Sequence, residues 1–136
     1  IQLIEVLSDI LLNYTDVKLR ATQLGKEHQS VRLIKEYLHD NLGSNISLEQ
    51  LVKITNLNRS YLIRVFRNAV GMPPYTYLNQ IRVEKAKRLL RQGMSIAAAA
   101  ITVGMSDQSH LTRHFKKIVG ITPGRYRNMS ISFKTN

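Results

Sequence analysis

Asn58-Arg59-Ser60-Tyr61-Leu62-Ile63-Arg64-Val65-Phe66-Arg67 and Asp107-Gln108-Ser109-His110-Leu111-Thr112-Arg113-His114-Phe115-Lys116 are two copies of one pattern. A displacement of 49 residues sets Ser60 on Ser109, Leu62 on Leu111, Arg64 on Arg113 and Phe66 on Phe115. It also sets Val70-Gly71 on Val119-Gly120, Pro74 on Pro123 and Tyr77 on Tyr126. Upstream the better displacement is 48, with Leu48 on Ile96 and Leu57 on Met105, so the second copy has one extra residue in its turn. Agreement of this length marks a duplicated structural unit. Each copy reads as helix, short turn, helix. Asn58 or Asp107 caps the second helix, and Gly71 or Gly120 ends it.

A helix-turn-helix has physical requirements that these residues meet. The second helix must keep apolar residues inward, here Leu62 and Phe66 or Leu111 and Phe115. It must carry hydrogen-bonding groups outward, to reach base edges in a major groove about 12 Å wide. Gln108, Ser109, Thr112 and Arg113 fall outward in the second copy. Ser60, Arg64 and Arg67 do so in the first, where Ile63 shares their face, open to a thymine methyl group or to no contact at all. The second unit is therefore expected to discriminate more among base sequences. The bland alternative, that Arg64 and Arg113 are ordinary solvated charges, does not account for their repetition at one offset.

Working outward, Ser47-Leu48-Glu49-Gln50 is a capping-box sequence and starts the first unit, residues 47–70. Leu62, Val65, Phe66 and Ala69 are the expected inward stripe of its second helix. Pro73-Pro74 opens a linking helix over 74–92, with Leu78, Ile81, Ala86, Leu89 and Leu90 as its apolar positions. Ser95 opens the second unit, residues 95–118, with Leu111, Phe115 and Ile118 inward. Thr122-Pro123 starts a short terminal helix. Before the units, Val31, Ile34, Leu38 and Leu42 predict a helix that Gly43 stops, and polar residues 25–30 read as a linker. Further upstream, Leu3, Leu7, Ile10, Tyr14, Val17, Ala21 and Leu24 alternate in steps of four and three. That seam is a coiled-coil period, and homodimerisation through residues 3–24 is one reading. Packing against the chain's own domain, or against a preceding one, is the other. No strand pattern appears. The fold class read from the chain is all-α: two helix-turn-helix subdomains over residues 31–130, bridged by a long helix and preceded by an amphipathic N-terminal helix.

Charge narrows the class of partner. The chain of 136 residues has 20 Lys and Arg against 9 Asp and Glu, a net charge of +11. Residues 1–30 hold three basic and four acidic side chains, so the whole excess follows them. Between Glu49 and Glu84 there is no acid, only Lys53, Arg59, Arg64, Arg67 and Arg82. After Asp107 the charges are again all basic, through Arg113, Lys116, Lys117, Arg125, Arg127 and Lys134. Such a field favours a polyanion, nucleic acid or an anionic surface. No apolar run approaches the ~18 residues of a membrane span, and the N-terminus has no signal-peptide pattern. The absence of cysteine excludes disulfides and thiolate chemistry, and fits a cytoplasmic setting. The chain begins at Ile1 and reads as a fragment or a processed product.

With those residues in view, positions 31–128 resemble the DNA-binding domain of AraC/XylS-type bacterial transcription regulators. The resemblance runs through Ser47-Leu48-Glu49-Gln50-Leu51, Leu62-Ile63-Arg64-Val65-Phe66-Arg67, Ile81-Arg82, Ala86 and Leu89-Leu90. It continues through Ser95-Ile96, Gly104, residues 107–117, Gly120-Ile121-Thr122-Pro123 and Tyr126-Arg127. It implies two recognition helices in successive major grooves, with base contacts from Ser60, Arg64, Gln108, Ser109, Thr112 and Arg113. With the basic neighbours of both helices, the expected DNA-binding set is Arg59, Ser60, Arg64, Arg67, Gln108, Ser109, Thr112, Arg113 and Lys116. Lys53 and Lys117 join Arg67 and Lys116 as phosphate contacts. The resemblance also implies RNA polymerase as a partner and an N-terminal effector domain of which residues 1–30 are a remnant. It leaves activator and repressor open. Met105 and Leu111 stand where the family has aromatic residues, and Val52 where it has Ala, all tolerable core changes.

No enzyme is read from the chain, and no cofactor. His110 and His114 have i, i+4 spacing, but neither a following Glu nor a third ligand completes a zinc site. No phosphate-binding glycine loop, carboxylate pair or nucleophile elbow occurs.

Overall fold

Seven helices, with no strand among the described residues 2–135, make up the computed structural model. They are α1 (Gln2–Asp40), α2 (Leu48–Thr55), α3 (Arg59–Val70), α4 (Pro74–Arg91), α5 (Ile96–Thr102), α6 (Gln108–Val119) and α7 (Pro123–Thr135). Their boundaries follow from local chemistry. A helix start leaves four amide donors unpaired, and a short polar side chain just before it can accept from one. At α2 the Gln50 amide donates to Ser47 Oγ and the Ser47 amide to Gln50 Oε1, a complete capping box. The Tyr61 amide donates to Asn58 Oδ1 (2.8 Å) and the His110 amide to Asp107 Oδ1 (2.7 Å). Gly71 and Gly120 close α3 and α6 at φ of 89° and 95°, where a Cβ would be strained.

The repeat persists in three dimensions. Phe66 and Phe115 are fully buried at equivalent places. Phe66 meets the Tyr77 ring edge-on at 5.6 Å, and Phe115 meets Tyr126 in the same way at 5.4 Å. Each unit is therefore three helices, α2-α3-α4 and α5-α6-α7, and α4 packs on α1 and α3 as well as on α5, α6 and α7. Met105 and Leu111 are buried and Val52 packs half-buried against the core, so these departures from the family pattern sit in or against it.

Several expectations need correction. Residues 25–30 are not a linker, because α1 runs unbroken through them. Glycine costs a helix interior about 1 kcal/mol, yet tertiary contacts just beyond it hold the helix: Ser30 and Val31 are buried. Ala69 and Ile118 do not point inward but are exposed. In both units the stripe steps by four from Phe66 to Val70 and from Phe115 to Val119, which turns the intervening residue outward. The terminal helix is not short, since α7 has 13 residues. It is fastened to the end of α4: Arg127 Nη2 donates to the Gly93 carbonyl, Arg91 to Tyr126 Oη, and Lys134 Nζ to the Arg91 carbonyl.

A Cβ at Gly25 would meet nothing within 4 Å. Gly25→Ala is therefore expected to stabilise the chain by about 0.5–1 kcal/mol, through helix propensity alone. Thermal unfolding followed by circular dichroism checks this, and an unchanged midpoint would indicate that residues 25–30 are not helical in solution.

The N-terminal seam is largely exposed in the single chain. Leu3, Leu7, Ile10, Tyr14, Val17 and Leu24 are all more than half exposed, Leu3 at 72%. From Leu3 to Val17 this exposure runs against packing on the chain's own core, whereas Leu24 lines a recess with Arg64 and Val65 of α3. No helix of the described residues is long and apolar enough to cross a membrane.

Candidate nucleic-acid interface

The outward face of α6 is the better-defined half. Gln108, Ser109, Thr112, Arg113, Lys116 and Lys117 line one open depression. All are exposed except Thr112, which is half-buried. Burial of Leu111 and Phe115 on the opposite side fixes this presentation. The helix start is locked further by His110, whose Nδ1 accepts from the Ser106 amide (3.3 Å). The His110 and His114 rings lie 4.8 Å apart. Burial holds the His114 imidazole below its ordinary pKa, and the charges of His110, Arg113, Lys117 and Arg82 add to the effect. Among the described residues no cluster of three or more His, Cys, Asp or Glu is placed to hold a metal ion.

On α3, Arg59, Ser60, Arg64 and Arg67 are exposed. Arg59 pairs with Glu49 of α2 at 3.4 Å, with both side chains largely solvated. Such a pair is worth about 0–1 kcal/mol and gives way readily to a phosphate. Ile63 is half-buried and packs against the core, so its contribution to the outward face is small. The structure thus brings Arg59, Ser60, Arg64 and Arg67 onto one helix and Gln108, Ser109, Thr112, Arg113 and Lys116 onto its repeat. Lys53 stands exposed on α2.

Two arginines of the basic field are occupied elsewhere. Arg127 is half-buried on the Gly93 carbonyl. Arg82 is only 5% exposed and donates from Nε to the Leu42 carbonyl (2.8 Å) and from Nη2 to the Ser44 carbonyl (2.9 Å). Burial lowers its pKa, although a guanidinium remains charged. Sequence reasoning also missed Tyr61 of α3. Its hydroxyl donates to Glu27 Oε1 (2.6 Å) and accepts from Gln23 Nε2 (3.1 Å), both on α1. The Arg64 guanidinium lies over its ring at 5.1 Å.

The helix-turn-helix domain family matches residues 51–129, more than half of the chain and both recognition helices. The chain belongs to the AraC-type helix-turn-helix family. Among relatives of this AraC-type chain, an uncharacterized HTH-type transcriptional regulator, YbfI of Bacillus subtilis, is 33% identical over 79% of the chain and 39% of its own length. The chain thus spans well under half of that relative. The C-terminal domain of the two-component response regulator yesN from Fusobacterium nucleatum is 33% identical, with a TM-score of 0.66 over 71% of this chain and 95% of that one. The DNA-binding domain of AdpA, solved in complex with a target DNA, shares the AraC-type fold at a TM-score of 0.73 over 78% of this chain and 96% of that one, at 24% identity.

Proposed function

We propose that this chain is the DNA-binding part of a bacterial transcription regulator, reading double-stranded DNA in two successive major grooves. One observation carries the reading: two helices capped by equivalent side chains, each backed by a buried Phe, carry an outward arginine at the same place, Arg64 and Arg113. Contacts in successive major grooves on one DNA face lie about one DNA turn apart, roughly 34 Å or 10 base pairs. Base edges are read by Ser60 and Arg64 in the first block and by Gln108, Ser109, Thr112 and Arg113 in the second. Lys53, Arg59, Arg67, Lys116 and Lys117 neutralise phosphates, giving salt-dependent affinity.

Arginine and lysine on α6 should separate in experiment. Arg113→Ala is expected to cost about 1–3 kcal/mol and to relax preference at one base pair. Lys116→Ala is expected to weaken all sequences alike and to reduce the salt slope by about 1. Titration of a panel of single-base variants at several salt concentrations checks both. A uniform loss for Arg113→Ala would move that residue to the phosphate set.

The exposed seam of α1 supports a second element of the proposal, a homodimer paired through residues 3–24. Ile10→Asp places a charge in the middle of that seam and is expected to leave a monomer in sedimentation. A wild-type chain that is itself monomeric at high concentration would remove the dimer. A regulator of this kind acts in the cytoplasm and meets RNA polymerase at its promoters, and both statements rest on the family reading. The same holds for a preceding effector domain whose last helix is the N-terminal part of α1. The rival reading, an oligomerisation module with indiscriminate nucleic-acid binding, leaves the matched arginines unexplained.

A further inference from the structure

We propose that Tyr61 is a positioning residue for Arg64, and that helix α1 sets base discrimination in the first unit by holding Tyr61. The inference rests on the DNA-binding reading above. Tyr61 stands one helical turn before Arg64 and is half-buried. Its hydroxyl is used in both senses, donating to Glu27 and accepting from Gln23. Glu27 and Gln23 are themselves one turn apart on α1, so together they fix the ring in position and in rotation. The ring in turn carries the Arg64 guanidinium on its face. An arginine free in solvent samples many rotamers, and fork-like pairing with a base requires one of them.

The repeat shows that this arrangement is particular to the first unit. The displacement of 49 puts His110 at the place of Tyr61 and Arg113 at that of Arg64. His110 is held locally, by the Ser106 amide and the His114 ring, within the second unit itself. Tyr61 is held from 34 and 38 residues away, by a helix that continues unbroken toward the N-terminus. Any shift of α1 along or about its axis therefore reaches Arg64 through two hydrogen bonds and one ring. Arg113 has no such side-chain link to α1, since His110 is held within its own unit. The device ties discrimination by the first unit to the Glu27 and Gln23 side chains of α1, a link that the second unit lacks.

The test uses the whole chain and a duplex carrying both blocks, with sets in which one base pair of either block is changed. The block whose preference Arg64→Ala relaxes belongs to the first unit. The quantity read is the ratio of affinities for correct and altered bases, which cancels the general gain from removing a negative charge. Tyr61→Phe keeps the ring but loses the clasp. It is expected to lower that ratio about three- to tenfold in the first block and to leave the second block unchanged. Glu27→Leu should do the same, Glu27→Gln should retain most of the ratio, and Tyr61→Phe with Glu27→Leu should add little to either alone. Ratios within about twofold of wild type in the first block, or an equal fall in both blocks, would overturn the proposal. A wild-type chain without base preference in either block would instead overturn the DNA-binding reading beneath it.

Discussion

Arg82→Met is expected to lower the unfolding free energy by about 2–4 kcal/mol. Methionine approximates the length of the side chain but supplies no donor. The carbonyl of the buried Leu42 then loses its guanidinium donor, and the Ser44 carbonyl loses one as well. Such groups cost about 1–3 kcal/mol each when left unpaired. The joint is also crowded. A Cβ at Gly104 would lie 2.6 Å from the Leu42 carbonyl and 3.0 Å from Arg82 Nη2, and Gly104 has φ of 83°. A Cβ at Gly43 would lie 2.7 Å from the Thr102 carbonyl. The loop after α1, the middle of α4 and the turn between α5 and α6 thus meet within contact distance around one guanidinium. Arg82→Lys keeps the charge without the fork and should fall between Met and wild type. Urea unfolding of the three proteins checks the series. A loss under about 1 kcal/mol for Met would show that water replaces the arginine at both carbonyls.

Because the same joint fixes one unit against the other, the second large effect is on DNA spacing. Five base pairs inserted between the two recognised blocks are expected to weaken binding by about 10²- to 10⁴-fold. The insertion turns one block to the opposite face of a duplex that repeats every ~10 base pairs. A flexible tether would let the second unit follow. Helix α4 and the Arg82 contacts give it no such freedom, so one unit must release and the gain from linked binding is lost. Titration of duplexes with successive insertions, at constant salt, measures this directly. Affinity that declines smoothly with insertion length would mean that the units move independently.

Much of this was open to reading in the chain because it rests on local chemistry. Ser47 with Gln50, Asn58, Asp107, Gly71 and Gly120 act on backbone groups within four residues, so their roles are written where they stand. The repeat then doubled the information, since a doubtful reading in one copy had a partner in the other. What escaped depends on distant partners. Arg82 counts as one more positive charge until its acceptors, 38 and 40 residues earlier, are known. Tyr61 looks like any helical tyrosine, and its holders lie on a helix whose continuity Gly25 concealed. A glycine followed by polar residues ordinarily ends a helix, and only the burial of Ser30 and Val31 shows why it does not here. Ala69 and Ile118 face outward although their spacing suits the inward stripe, because helical periodicity allows both three- and four-residue steps and packing makes the choice.

Selection of bound duplexes from a random pool at near-physiological salt, followed by sequencing, tests the central claim most directly. Two short enriched blocks about one helical turn apart are expected, with one relaxed by Arg64→Ala and the other by Arg113→Ala. Flat enrichment with steep salt dependence would contradict it, and would make the chain a general binder of polyanions.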